Sequence, residues 1–170
     1  MIDVETLFAE HQPAVLRYLT RIVGQAEPAR DLAQDVFVRI SQTPIPDGGA
    51  GDLRPWVFRI ARNLAFNYLR DEARRPIAPE PVDAPANASA ETVVTVRDAL
   101  QRLADVDRDI VLLREIAGLS YDELAAVCEI TPDAVRSRLH RARNELRQAL
   151  AGLIEAQQRI SIRLSHKYKP

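Results

Sequence analysis

SYDELAAVCEITPDAVRSRLHRARNEL, residues 120–146, reads as two short helices joined by a tight turn. Ser120 with Glu123 three residues on makes a capping box. The hydroxyl accepts from the Glu123 amide while the carboxylate reaches back to the Ser120 amide, so a helix starts here. Leu124, Ala125 and Val127 give it an apolar face, and Glu129-Ile130 leaves room only for a turn. Thr131 caps the second helix. Pro132 suits its first position, where an amide hydrogen would have no intrahelical partner, and Asp133 complements the positive end of the helix dipole.

Along the second helix Val135, Leu139, Ala142 and Leu146 follow the four, three, four spacing of a buried stripe. Arg136, Ser137, His140, Arg141 and Asn144 are left facing out, with Arg138 and Arg143 on the flanks. Glu145 is the only acid between Val135 and Leu150. A capped helix with an arginine-rich outer face is what the recognition helix of a helix-turn-helix needs. Arginine forks pair bidentately with guanine edges or grip phosphates, and the helix fits the major groove. On these residues alone, a basic face on an ordinary helical hairpin and a surface for an acidic protein stay open, because short helix-turn-helix patterns have false positives.

The 170 residues allow one ordinary domain or two small helical ones, and 46% hydrophobic residues are enough to build real cores. The net charge of -1 conceals a segregation: residues 134–170 carry nine basic and two acidic side chains, residues 91–133 four basic and ten acidic. Cys128 is the single cysteine, which excludes an intrachain disulfide and a cysteine-based zinc site and reads as a small buried thiol. The N-terminus MIDVETLFAEH is acidic and amphipathic, unlike a signal peptide, and no apolar run approaches membrane-spanning length. A cytoplasmic protein with no membrane insertion is expected. His11 has no second histidine or cysteine at ligand spacing, and the loop 43–52 lacks the lysine and spacing of a P-loop. No metal and no cofactor is therefore expected. No nucleophile, acid and base set with plausible spacing appears, so the chain is not read as an enzyme.

In chain order, Leu7, Phe8, Val15, Leu16, Leu19, Ile22 and Val23 recur at helical spacing between Asp3 and Gly24. Pro13 predicts a break into two helices, and Gly24 the end of the second. Pro28 is expected to open PARDLAQDVFVRI, whose stripe is Leu32, Val36, Phe37 and Ile40. Its opposite side presents Asp31, Gln34, Asp35 and Arg39, which suits solvation or a docking face. TPIPDGGAGD, residues 43–52, is a loop. PWVFRIARNLAFNYLRDEARR reads as a helix from Pro55 to about Arg74, with Val57, Ile60, Ala61, Leu64 and Leu69 inside. Trp56, Phe58, Arg59, Arg62, Asn63, Phe66, Asn67, Tyr68 and Arg70 crowd the remainder. Arginines that follow a backbone, rings that stack and amides that read base edges suit unpaired nucleic acid; Trp56, Phe58 and Tyr68 as core residues is the other reading. RPIAPEPVDAPANASA, residues 75–90, has four prolines and no helical stripe and divides the chain as an extended linker. Val93, Val96, Leu100 and Leu103 predict one helix and Asp107–Ala117 another, ended by Gly118. With the helix-turn-helix these make a four-helix second domain. The expected layout is all-α: residues 1–75 and 91–154 as two small helical domains, 76–90 as linker, and 155–170 as a basic tail, for which phosphate contact and disorder stay open.

Three of these stretches, in this order and with this linker, resemble the extracytoplasmic-function group of bacterial RNA polymerase sigma factors over about residues 5–150. DLAQDVFVRI resembles the core-binding helix of region two, PWVFRIARNLAFNYLRDEARR the promoter-melting helix, and DVDRDIVLLREIAGLSYDELAAVCEITPDAVRSRLHRARNELR region four. The resemblance implies a sigma factor that binds core RNA polymerase, directs it to promoters and opens them. Asp31, Gln34, Asp35 and Arg39 fall where the family grips the polymerase clamp helices. The loop 43–52 and Asn63 fall where a base flipped from the non-template strand of the minus-ten element is captured, with Trp56, Arg59, Arg62 and Asn67 beside it; a ready-made pocket offsets the unstacking. The loop lacks an aromatic, which leaves the accepted base open. Arg136, Ser137, Arg138, His140, Arg141 and Arg143 fall on the helix that reads the minus-thirty-five element as duplex. The partners implied are core polymerase, promoter DNA as duplex and as non-template single strand, and an anti-sigma factor. Two rivals remain on the sequence: a stand-alone helix-turn-helix regulator and a helical adaptor for an acidic protein.

Overall fold

The computed structural model describes residues 4–46, 52–75 and 96–167, and all of its regular structure is helical. The loop residues 47–51 and most of the Pro-rich linker lie outside the described residues. The first domain consists of α1 (Val4–Val23), α2 (Ala26–Gln42) and α3 (Arg54–Ala73). The second is built from α4 (residues 96–102), α5 (Asp105–Ala117), α6 (Tyr121–Cys128) and α7 (Pro132–Lys167).

Pro13 does not break the first segment: α1 runs unbroken through it. A proline inside a helix costs about 3 kcal/mol. Val15, Tyr18, Leu19 and Ile22 are at most 1% exposed on one face, and full burial of side chains that size is worth roughly 1.5–3 kcal/mol each. The stripe therefore outweighs the lost amide. The stripe itself differs from the expected one. Tyr18 belongs to it, whereas Phe8 is 47% exposed with its ring against Phe37, centroids 4.8 Å apart. Gly24, at φ 83, ends the helix in the left-handed conformation glycine tolerates.

The second helix begins at Ala26 rather than at Pro28. Pro28 sits inside the first turn, where amide hydrogens lack intrahelical acceptors, so it is tolerated two positions later than expected. Ala29, Leu32, Ala33, Val36, Phe37 and Ile40 form the buried side of α2. In α3 the core positions are Val57, Phe58, Ala61 and Ala65, with Ile60, Leu64, Trp56, Tyr68 and Leu69 partly buried around them. Phe58, left open by the sequence between the mixed outer surface and the core, is fully buried and meets Tyr18 edge to face at 5.8 Å.

In the second domain Gly118, at φ 67, stops α5. Ala99, Leu100, Leu103, Ile110, Leu113, Leu124, Val127, Val135, Leu139 and Ala142 fill the core. The terminal segment, left open between contact and disorder, continues α7 as helix to Lys167. The two domains pack directly on each other, α1 against α5 and α3 against α6.

Candidate nucleic-acid interface

The helix-turn-helix forms by the local chemistry its sequence carries. The Glu123 amide donates to Ser120 Oγ at 3.2 Å and the Ser120 amide to Glu123 Oε2 at 2.6 Å, which completes the capping box. Glu129, at φ 57, terminates α6 in the left-handed region, and the Ile130 amide donates back to the Ala125 carbonyl at 3.0 Å. The turn thus occupies the two residues expected. The Ala134 amide donates to Thr131 Oγ1 at 3.2 Å, so Thr131 caps α7 as its position before Pro132 implies.

Val135, Leu139 and Ala142 are at most 1% exposed, which fixes the rotation of α7. Arg136, Ser137, His140 and Arg141 are all exposed along its opposite face. Arg136 donates to Asp133 at 2.6 Å and stands 5.8 Å from the Tyr121 ring, while His140 is hydrogen-bonded to Asn144 at 3.1 Å. Arg138 and Arg143 behave differently. Arg138 pairs with Asp107 at 2.8 Å and Arg143 with Glu115 at 2.9 Å, both on α5. The charge segregation seen along the chain is in part this internal pairing of an acidic α5 with the flank of a basic α7.

On α2, Asp31, Gln34, Asp35 and Arg39 share one exposed face, opposite the buried stripe. On α3, Arg59, Asn63 and Asn67 are exposed and Trp56 and Arg62 partly buried. Asn67 Oδ1 accepts from Arg70 at 2.7 Å, and the Arg62 guanidinium lies 4.8 Å over the Phe66 ring. The two arginines also reach into the second domain. Arg59 donates to the Ala126 carbonyl at 2.6 Å, and Arg62 Nε to Asp109 Oδ2 at 2.6 Å.

Asp109 was not singled out by sequence reasoning. It is fully buried and accepts from Tyr18 Oη at 2.7 Å as well as from Arg62, with the Cys128 thiol 3.9 Å away. Burial raises its carboxyl above the ordinary range, against the pull of Arg62 and the Tyr18 hydroxyl. Burial works against the Arg62 charge, but the Asp109 carboxylate more than offsets it and raises the guanidinium. Burial, then the Asp109 charge, pushes the Cys128 thiol up to about 12, so it is the inert buried thiol expected. A signal for Asp109 existed: it stands four residues before Leu113 and eight before Ala117, an acid on a core stripe.

Comparison with known proteins decides the family. Residues 7–75 match the model for Sigma-70 region 2 and residues 94–146 that for Sigma-70, region 4. The RNA polymerase sigma factor CarQ of Myxococcus xanthus is 32% identical over 156 residues, covering 88% of this chain and 90% of that protein. The ECF RNA polymerase sigma-E factor of Haemophilus influenzae is 30% identical, covering 87% of each. The chain belongs to the extracytoplasmic-function sigma factors. Among solved structures, CnrH in complex with the cytosolic domain of CnrY is 28% identical and superposes with a TM-score of 0.68, covering 88% of each chain. The sigma factor is thus a transcription initiation factor for RNA polymerase, built from region two and region four. Among its described residues no helix is long and apolar enough to cross a membrane. Family membership also removes the two rivals left by the sequence, the stand-alone regulator and the adaptor.

Proposed function

We propose that this sigma factor binds core RNA polymerase through Asp31, Gln34, Asp35 and Arg39 and reads its promoters at two separate surfaces. Arg136, Ser137, His140 and Arg141 meet the minus-thirty-five element as duplex. Arg138 and Arg143 contribute phosphate contacts from the flanks of the same helix when they leave their acidic partners. Trp56, Arg59, Arg62, Asn63 and Asn67, with the loop 43–52, hold the minus-ten element as an opened non-template strand. The observation that carries this reading is the rotation of α7: three buried apolar side chains on one face oblige the basic set to face outward from a capped N-terminus.

The first domain on this reading comprises residues 1–75, the second 91–154, and the linker 76–90 threads through polymerase toward the RNA exit channel. The protein has no catalytic chemistry of its own and works in the cytoplasm. A partner anti-sigma factor controls it; the structure of the similar CnrH in complex with the cytosolic domain of CnrY supports this reading.

Asn63→Ala tests the melting role. Asn63 is exposed, so its truncation leaves the core intact. Upstream footprints should persist with the variant holoenzyme, while permanganate-reactive thymines at the minus-ten element and the transcript are lost together. Full opening by the variant removes Asn63 from the site.

A further inference from the structure

The two domains share one apolar core, and a set of polar contacts also crosses the boundary between them. Asp109 on α5 takes two of its three contacts from the other domain, the Tyr18 hydroxyl at 2.7 Å and the Arg62 Nε at 2.6 Å. Within its own domain its partner among the described residues is the Cys128 thiol, at 3.9 Å. Arg59 donates to the Ala126 carbonyl on α6. From the other side Arg97 donates to the Gly24 carbonyl at the end of α1. Among the described residues three arginines and one phenol thus donate across the boundary, each to an oxygen of the opposite domain. A carboxylate is buried only where donors compensate for the lost water, and here the two strongest of them, the Tyr18 hydroxyl and Arg62 Nε, exist only while the domains are closed.

Arg59 and Arg62 are among the residues assigned above to promoter DNA, and the inference rests on that assignment. In the closed chain their guanidiniums are already engaged by a carboxylate and a backbone carbonyl, acceptors of the same kind as phosphate and base-edge oxygens. Arg62 is only 18% exposed in this pairing. The Arg62 Nε is committed to Asp109 while the domains are closed and cannot serve a DNA oxygen at the same time.

We propose that Tyr18, Arg62 and Asp109 form an intramolecular latch that holds the free sigma factor closed and withholds its minus-ten arginines, with Asp109 occupying the place of a nucleic-acid oxygen. The latch requires no second protein. Its release exchanges Asp109 for DNA at Arg62 and returns the Tyr18 hydroxyl and the carboxylate to water. Binding of any partner that separates α1 from α5 therefore arms the minus-ten surface.

The test uses the full chain with donor and acceptor dyes at Arg17→Cys and Gln148→Cys, both exposed positions, in a Cys128→Ala background. Single-molecule transfer efficiency then reports closure without reference to DNA. The background chain should populate one short-distance state. Tyr18→Phe deletes one oxygen and Asp109→Asn one charge; each should raise the open-to-closed ratio by roughly tenfold, the worth of one hydrogen bond to a charged group. Circular dichroism establishes that each variant is folded, and Tyr18→Phe carries the test if Asp109→Asn does not fold. Distance distributions unchanged in the folded variants overturn the latch, as does a background chain that is already open. Affinity for a single-stranded minus-ten oligonucleotide, measured on the same samples, should rise in step with opening. Opening without that rise supports the latch and instead contradicts the DNA role of Arg59 and Arg62.

Discussion

Replacing Arg136 or Arg141 with alanine should separate promoter recognition from folding. The Arg136 side chain is 62% exposed and its carboxylate partner, Asp133, 90% exposed at 2.6 Å. An exposed pair of this kind contributes about 0–1 kcal/mol, and a guanidinium near an exposed ring, here Tyr121, about 0.5–1 kcal/mol. Loss of Arg136 therefore destabilises the domain by about 0.5–2 kcal/mol, a shift of several degrees in Tm. The loss at the DNA is larger. A bidentate arginine on guanine is worth about 1–3 kcal/mol of discrimination, which is roughly 5- to 150-fold in affinity ratio. The assay is fluorescence anisotropy of holoenzyme on promoter fragments with the intact and the scrambled minus-thirty-five element, with thermal melts of the same preparations. Leu139→Ala is the control in the opposite sense: the side chain is 1% exposed on the buried face of the same helix, and its truncation costs about 2–5 kcal/mol. An Arg136→Ala melt displaced as far as that of Leu139→Ala, or discrimination unchanged in both arginine variants, would refute the reasoning.

Two further outcomes follow from local chemistry. Ser120→Ala removes the hydroxyl that accepts from the Glu123 amide and leaves the backbone half of the capping box, the Ser120 amide on Glu123 Oε2, in place; it should destabilise the second domain by about 0.5–2 kcal/mol, read as a lower midpoint in urea, while Ser120→Thr retains most of it. Cys128, with its thiol pushed up to about 12, is protonated through the neutral range, since thiolate falls tenfold for each pH step below that value. At pH 8 the native protein should react with a disulfide reagent about a thousandfold more slowly than an ordinary thiol, denatured protein at the ordinary rate; equal rates would show that the thiol is not sheltered beside Asp109.

The capped start and outward basic face of α7 were legible because everything that forms them is local. The cap at Ser120, the two-residue turn, Thr131-Pro132 and the stripe of Val135, Leu139 and Ala142 lie within one short stretch, and each has a single structural use. The polar face of α2 was legible for the same reason, since four apolar positions determine which side Asp31, Gln34, Asp35 and Arg39 occupy. Pro13 was misread because proline chemistry is local while the burial that overrides it is tertiary. Tyr18 and Asp109 were missed on similar grounds: they are 91 residues apart, and neither needs the other until the domains meet. The flanking arginines show the converse. Their charge was plain in the sequence, but Asp107 and Glu115, which tie Arg138 and Arg143 down, become neighbours only when α5 packs on α7.

The central claim, that this chain gives core polymerase its promoters, is tested most directly by run-off transcription. Purified core RNA polymerase is supplied with a pool of genomic promoter fragments, with and without the protein. Discrete transcripts that depend on the protein, start at fixed positions and share an upstream and a downstream element are the predicted result. An unchanged transcript pattern, from protein shown to be folded and bound to core, would contradict the account.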